Sequence, residues 1–268
     1  MMTNSVKATK FSFAYDPQKL EELTKEYRDS YVQASPFPHV VLDHLFSEEM
    51  LDRILEEFPM PGEVKWTKRY HDNSKKLEFT NETGMGEGTW RFLAQLNSST
   101  FIRFLEELTG IDGLLPDPHL WGGGLHQIER GGYLNIHADF NWHEKLKLDR
   151  RLNLLLYLNK DWQEEYGGHL ELWNRDMSRC EKKVLPIFNR CVIFSTTDFS
   201  FHGHPVPLTC PSGVTRKSLA LYYYSNGRPR HEISDPHSTP YQQRPGQAAP
   251  RAKNLDSLKR LLKKLIPQ

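Results

Sequence analysis

The chain has 268 residues and a formal net charge of +1, with 38% hydrophobic and 26% charged residues. This length is enough to bury a full core and fits one elaborated domain. The nearly balanced charge gives no reason to expect a nucleic-acid partner, and no apolar run approaches the roughly 18 residues of a membrane span.

The cysteines and the first residues bear on the compartment. Cys180, Cys191 and Cys210 are odd in number and lack C-x-x-C spacing, so we expect free thiols rather than disulfides or zinc ligands. The start of the chain also lacks the apolar core of a signal peptide. Together these features predict a cytoplasmic protein.

Residues 1–118 are expected to support the rest of the chain. Four helices are predicted there, because capping side chains and leucine-rich stripes at helical spacing mark them. A short strand at Val40–Leu42 is expected to enter the core between the first two helices. The predicted helices are Asp16–Tyr31, Ser47–Phe58, Trp90–Leu96 and Ser99–Leu108, the last one stopped by Gly110.

The segment Pro59–Gly88 is polar, glycine-bearing and rich in lysine. It predicts a long loop, and a loop of this length inside a compact domain is typical either of a lid or of a mobile solvated segment. As a lid it would place Trp66, Lys68 and Arg69 against a substrate.

Residues 119–227 contain short apolar runs separated by turns, with no helix of useful length between them. Glycines at 122–124 and 131–132 mark bends between short strands. This pattern favours antiparallel pairing. The predicted fold class is α+β with a mainly β core, a double-stranded β-helix or jelly roll whose two sheets face each other across a pocket.

The end of the chain changes character twice. Residues 228–253 are polar and rich in proline, which predicts a flexible tail that buries little surface. In residues 254–268, leucines recur at helical spacing opposite lysine and arginine, which predicts a basic amphipathic helix. Such a helix would dock on its own domain or a second subunit, or bind another partner or a membrane surface.

The candidate chemistry begins with His137 and Asp139, which are separated by one residue in an expected strand. Alternate side chains of a strand point the same way, so both would reach into one pocket. Two imidazoles and a carboxylate on one face are the ligands of an iron(II) oxygenase. His202 and His204 are the candidates for the third ligand. Gly203 and Pro205 argue against a regular strand there, so the two histidines need not share a face.

Arg216 lies in the next strand and is expected to bind a carboxylate. A guanidinium forks onto a carboxylate through two parallel hydrogen bonds and stays charged. Ser218 shares its strand face and would complete the carboxylate's hydrogen bonds. The apolar run Leu219–Tyr224 is typical of a buried strand, which argues against a merely solvated arginine.

In this order the motifs resemble the iron(II)- and 2-oxoglutarate-dependent dioxygenases, and among them the prolyl 4-hydroxylase-like branch. The resemblance covers roughly residues 121–226. The motifs that carry it are His137-x-Asp139, YLNKDW at Tyr157–Trp162, Gly167-Gly168 before an alternating strand, Ser200-Phe201-His202 and Arg216-x-Ser218.

The resemblance implies a site and its cofactors. It favours His202 as the distal ligand, because that histidine follows the serine–phenylalanine pair, while the long LTCPSG connection keeps His204 as the alternative. It also implies Tyr157 and Gln127 as contacts to the cosubstrate, although relatives carry tyrosine at the position of Gln127. Iron(II), 2-oxoglutarate and dioxygen are the implied cofactor, cosubstrate and oxidant, with ascorbate as a further candidate.

The implied activity is hydroxylation of an unactivated carbon, with a prolyl residue of a protein or peptide as a candidate substrate. The alternatives are the same chemistry on a free amino acid or other small metabolite, and a jelly-roll binding module without catalysis. A halogenase is disfavoured, because Asp139 occupies the carboxylate position that such enzymes leave open for chloride.

Overall fold

The structure is a computed structural model that describes residues 13–247. Four α-helices lie in this range, and three begin with a capping side chain: Asp16, Ser47 and Ser98 each accept a hydrogen bond from a backbone N–H of the first turn. Gly110 ends the last helix with φ of 70°. The helices are α1 (Pro17–Val32), α2 (Glu48–Glu57), α3 (Glu87–Leu96) and α4 (Ser99–Thr109). The prediction of four N-terminal helices is therefore confirmed.

Thirteen strands lie in the same described range. They are β1 (His39–Asp43), β2 (Thr67–His71), β3 (Ser74–Phe79), β4 (Leu115–Pro116), β5 (Gly124–Ile128), β6 (Leu134–His137), β7 (Trp142–His143), β8 (Leu148–Tyr157), β9 (Leu170–Trp173), β10 (Cys180–Val184), β11 (Arg190–Ser195), β12 (His202–His204) and β13 (Arg216–Ser225).

The strands form one curled antiparallel sheet in the order β1-β11-β8-β13-β5-β3-β6-β12-β9-β10, with β2, β4 and β7 paired beside this path. The pairings β8–β13 and β5–β13 bring segments far apart in sequence into register. The expected α+β fold with a mainly β jelly-roll core is confirmed.

The two faces of β8 separate the core from the pocket. Leu154 and Leu156 point into the largest hydrophobic cluster, which the helices cover. The intervening side chains of Asn153 and Tyr157 line a cavity on the concave face. Because side chains alternate along a strand, burying the leucines against the helices turns the polar residues inward. The helical layer thus fixes which side chains reach the site.

The prediction of a long loop for Pro59–Gly88 is wrong, because this segment contains the antiparallel hairpin of β2 and β3. β3 lies between β5 and β6 in the main sheet. Its cavity-facing positions are Lys76 and Glu78, which pair at 2.7 Å. Charged residues on the concave face hid the alternation that marks a strand.

Trp66 is not available to a substrate, contrary to the lid hypothesis. It is 6% exposed and packs against Phe58 and Phe79, while its indole N–H donates to the carbonyl of Met60 at 3.1 Å. An indole ring buried with its N–H satisfied is a core residue.

The prediction of a flexible tail that buries little surface is also wrong for residues 228–247. Ala138 donates its backbone N–H to the carbonyl of Pro240 at 3.1 Å, and Gln242 donates to the carbonyl of Ile136 at 2.8 Å. Tyr241 forms a β-bridge with His137. The edge of β6 offers free backbone groups, and the proline-rich segment binds them despite its low hydrophobicity. The predicted helix of residues 254–268 lies outside the described residues.

Two further expectations concern the whole chain. The three cysteines are unpaired, with Cys191 and Cys210 buried, which confirms free thiols. Among residues 13–247, no helix combines the length and apolar character that crossing a membrane requires. The boundaries predicted at residues 118, 227 and 253 stay predictions.

Candidate metal and cosubstrate site

Three candidate ligands converge where β6 and β12 pair. His202 lies directly opposite His137 in the antiparallel register, with ring centroids 4.5 Å apart. Nε2 of His137 is 3.7 Å from Oδ1 of Asp139, and Nε2 of His202 is 3.6 Å from Oδ2. Among the described residues these side chains form the one group of three or more whose ligand atoms could share a metal ion.

Both imidazoles are oriented by a backbone carbonyl. Nδ1 of His137 lies 2.8 Å from the carbonyl oxygen of Asn135, and Nδ1 of His202 lies 2.9 Å from that of Ser200. A ring that donates from Nδ1 keeps the lone pair on Nε2, which fixes the tautomer that binds a metal. Burial lowers the pKa of His202 to about 4, so its ring is neutral.

The carboxylate of Asp139 is held in place by two polar neighbours. Asn153 donates to Oδ2 at 2.6 Å, and the Arg150 guanidinium lies 3.2 Å from the same oxygen. Arg150 is itself fixed over the rings of Tyr222 and Phe140. Burial opposes ionisation, but the Arg150 guanidinium holds the pKa of Asp139 well below its usual range. The site therefore presents a carboxylate and not a carboxylic acid.

The other end of the same cavity carries Arg216, Ser218 and Tyr157. Arg216 is 5% exposed and donates from Nε to the carbonyl of Gly168 at 2.9 Å and from Nη2 to the hydroxyl of Tyr157 at 3.3 Å. A guanidinium has five N–H donors, so others remain for a bound anion. Ser218 lies opposite Tyr157 in the β8–β13 register.

The residues at the two ends of the cavity fit iron(II) and 2-oxoglutarate, the groups that the sequence resemblance implies. Two imidazoles and one carboxylate, each oriented by a hydrogen bond, are a donor set suited to iron(II). A buried guanidinium with free N–H groups suits the far carboxylate of an oxo-dicarboxylic acid. The cavity places both in one enclosed space.

Gln127 does not lie in this cavity, so its predicted cosubstrate contact has no support in the geometry. It occupies the opposite face of β5 and donates to the hydroxyl of Thr215 at 3.0 Å. Its neighbours His126 and Ile128 line the cavity instead. Strand alternation gives this outcome, since Leu125, on the same face as Gln127, belongs to the hydrophobic core.

His204 lies in the same cavity but outside the group of three ligand residues. The pairing with β6 shifts register between His202 and His204, so the two rings do not repeat each other's position. The geometry therefore favours His202 as the distal ligand.

Sequence reasoning missed several residues of the site. Asn153 precedes Tyr157 by four residues in one strand, so alternation was a signal that could have placed both on one face. For Lys76, Arg150 and Tyr222 the sequence carries no comparable signal. They reach the site through pairings and ring contacts between distant segments.

The site opens to the surface beside His137 and Asp139. Arg69 borders this opening, whereas Lys68 is exposed and does not line it. Aromatic residues form much of the remaining wall: Trp121, Phe140, Tyr222 and Tyr241.

Comparisons with known proteins agree with this geometry. Residues 123–224 match the family model of the 2OG-Fe(II) oxygenase superfamily. The chain is 25% identical over 195 residues to prolyl 3-hydroxylase OGFOD1 of Mus musculus, an alignment that covers 70% of this chain and 33% of the mouse protein. The chain thus spans about a third of the length of that curated relative.

Two solved structures resemble the fold. A prolyl-4-hydroxylase of Pseudomonas putida has a TM-score of 0.55 at 16% identity and covers 76% of this chain and 100% of its own. A prolyl hydroxylase from Trichoplax adhaerens, in complex with a hypoxia inducible factor peptide fragment, has a TM-score of 0.53 at 17% identity. The match covers 78% of this chain and 91% of the Trichoplax chain. Residues 123–224 thus resemble a 2OG-Fe(II) oxygenase domain, and the fold resembles that of the Pseudomonas putida prolyl-4-hydroxylase.

Proposed function

We propose that this protein is an iron(II)- and 2-oxoglutarate-dependent dioxygenase that hydroxylates an unactivated carbon, with a prolyl residue of a protein or peptide as the favoured substrate. The observation that carries the proposal is a single buried cavity with His137, Asp139 and His202 at one end and Arg216 at the other. A binding module without catalysis would have no use for two oriented imidazoles beside an ionised carboxylate.

Each residue has a defined task in the proposed reaction. His137, Asp139 and His202 would hold iron(II), while Arg216, Ser218 and Tyr157 would bind the far carboxylate of 2-oxoglutarate. Bound iron(II) supplies the activation of dioxygen, coupled to decarboxylation of 2-oxoglutarate to succinate and carbon dioxide. The cavity walls keep water away from the reacting groups.

The fixed orientation of the Asp139 carboxylate also bears on whether the site would hydroxylate or halogenate. Asn153 and Arg150 bind Oδ2, while Oδ1 faces His137. An oriented carboxylate in this position fills a ligand site that a halogenase would need for chloride. Hydroxylation is therefore the proposed outcome.

The substrate assignment is supported by the opening and by the similarity to the mouse prolyl 3-hydroxylase. Aromatic side chains such as Trp121, Tyr222 and Tyr241 give an apolar wall next to the ligands. Such a wall suits the ring of a prolyl residue in an extended peptide. Arg69 at the rim would contact the flanking peptide.

Dioxygen as oxidant and ascorbate as a reductant that restores iron(II) belong to the same proposal. A cytoplasmic location is proposed as well, supported by three unpaired cysteines in a protein that needs reduced iron.

The experiment measures carbon dioxide released from carboxyl-labelled 2-oxoglutarate by iron-loaded protein, together with mass spectra of the acceptors. Proline-containing peptides, free proline and other amino acids are compared. The variant His137→Ala should lose turnover. His169→Ala is the matched control, because this histidine pairs with Glu164 and does not line the cavity.

The results separate the candidate functions. Gain of one oxygen atom on a peptide prolyl residue supports the proposal, and oxidation of a free amino acid alone would assign a metabolite substrate. If wild type and His137→Ala release equally little carbon dioxide at every iron concentration and with every acceptor, the protein is a non-catalytic module.

A further inference from the structure

His204 is a buried histidine without a role in the reaction proposed above. It is 4% exposed, and neither of its ring nitrogens has a hydrogen-bond partner among the residues that the structure describes. A buried polar group without a partner is destabilising, so such groups in folded proteins usually serve a ligand or an ordered water.

The position of His204 in the sheet indicates which ligand it would meet. In the β9–β12 pair, His202 lies opposite Leu172 and Gly203 lies opposite Glu171. As β12 continues past Gly203 to His204, the paired chain of β9 runs back from Glu171 to Leu170 and then toward Gly168. The carbonyl of Gly168 accepts a hydrogen bond from Arg216. His204 therefore lies on the path from the metal ligands to the arginine.

His204 lines the same cavity as the residues at both of its ends. Its lining includes His204 together with Arg216, Ser218 and the three candidate metal ligands. Gly203 precedes His204, and a β-carbon at Gly203 would lie only 2.7 Å from the carbonyl oxygen of Leu134. Close backbone packing at Gly203 holds the strand against β6 and fixes the position of the next residue.

We propose that His204 is a binding residue for the cosubstrate, donating a ring N–H to the far carboxylate of 2-oxoglutarate beside Arg216. This inference rests on the proposed function. It assigns a further donor, besides Arg216, Ser218 and Tyr157, that distinguishes a dicarboxylic oxo-acid from a monocarboxylic one, because only the former places an anion at this depth. An imidazole N–H can donate to that anion without adding a permanent charge to the cavity.

The test measures equilibrium binding of two oxo-acids to the anaerobic iron(II) protein, followed by the visible absorption band of the chelate. 2-Oxoglutarate carries the far carboxylate, and 2-oxopentanoate has the same carbon chain without it. His204→Phe keeps a ring and removes the donor, while His204→Gln keeps an N–H. His39→Phe is the matched control, because His39 is equally buried but lies outside the cavity.

We expect His204→Phe to weaken 2-oxoglutarate binding by roughly tenfold to a hundredfold, the range of a buried hydrogen bond to a charged group. Binding of 2-oxopentanoate should stay unchanged, and His204→Gln should recover part of the loss. The melting temperature of the metal-free variants reports whether the fold is intact. If the phenylalanine variant does not fold, the glutamine variant supplies the comparison of the two oxo-acids.

Two results would overturn the inference. One is wild-type affinity of both variants for 2-oxoglutarate, and the other is an equal loss for the two oxo-acids, which would place His204 at the metal end or in the fold alone. Failure of the wild-type protein to bind either oxo-acid is a separate outcome. It would remove the proposed function itself, and the inference with it.

Discussion

Asn153 donates its side-chain N–H to Oδ2 of Asp139 at 2.6 Å, across 14 residues of sequence. The Arg150 guanidinium lies 3.2 Å from the same oxygen. Oδ1 is thereby left to face His137 at 3.7 Å. The carboxylate is oriented by neighbours that do not themselves belong to the proposed metal ligands.

Asn153→Ala should lower the affinity for iron(II) by about 10- to 100-fold, because the orientation of a ligand by its hydrogen-bond partner is worth that much. Competition with a chromophoric chelator under anaerobic conditions measures it. Asn159→Ala is the matched control, since Asn159 is also buried but binds Pro186 and Lys217. It should lower stability and leave iron affinity alone. Equal iron affinity of the two variants would contradict the role of Asn153.

Arg216→Lys should raise the dissociation constant for 2-oxoglutarate by about 10- to 100-fold. Lysine keeps the charge but cannot reach Gly168, Tyr157 and a carboxylate at the same time, as the forked guanidinium can. Isothermal titration of the iron-loaded protein gives the constant. Arg190→Lys, which changes a fork onto Asp43 far from the cavity, should bind 2-oxoglutarate like wild type. A lysine variant with unchanged affinity at position 216 would exclude a carboxylate site there.

Tyr241→Ala should loosen the segment that crosses β6. Its ring lies 5.5 Å from that of His137, and the backbone N–H of Ala138 donates to Pro240. Hydrogen exchange at Ala138 should accelerate by roughly tenfold, equivalent to about 1.4 kcal/mol of local opening free energy. Tyr70→Ala, at an exposed tyrosine, should leave that exchange rate unchanged. Identical protection of Ala138 in both variants would show that the tyrosine contributes nothing to the segment.

Glu78 predicts an acid-dependent contribution to stability. Burial alone would raise its pKa, but Lys76 and Arg69 outweigh burial and lower it from 4.5 to about 2. Because the folded-state pKa lies below the unfolded one, the stabilisation is present above pH 4.5 and disappears as pH falls toward 2.

Denaturant unfolding of wild type and Glu78→Gln between pH 2 and 7 checks this. The difference in free energy of unfolding should be about 1–3 kcal/mol at neutral pH and should vanish near the lower limit. Glu144→Gln, at an exposed glutamate, controls for the general loss of charge. A difference that is independent of pH would mean that Glu78 acts through packing and not through its charge.

The sequence by itself determined the local features of this protein. The period of two in an extended chain puts His137, the last residue of β6, and Asp139 on one face, and capping residues with apolar stripes mark the four helices. Both signals depend on neighbours within a few residues. The order of the motifs then led to the oxygenase resemblance, which the family match over residues 123–224 supports.

The tertiary structure alone decided which faces and edges meet. A register shift in β12 separates the roles of His202 and His204, and a difference of one position puts Gln127 on the core face of β5. β3 and the segment around Tyr241 join the sheet through backbone pairing with distant strands. Backbone groups are the same in every residue, so long-range pairing leaves little trace in local side-chain pattern, and a slip of one residue reverses every face.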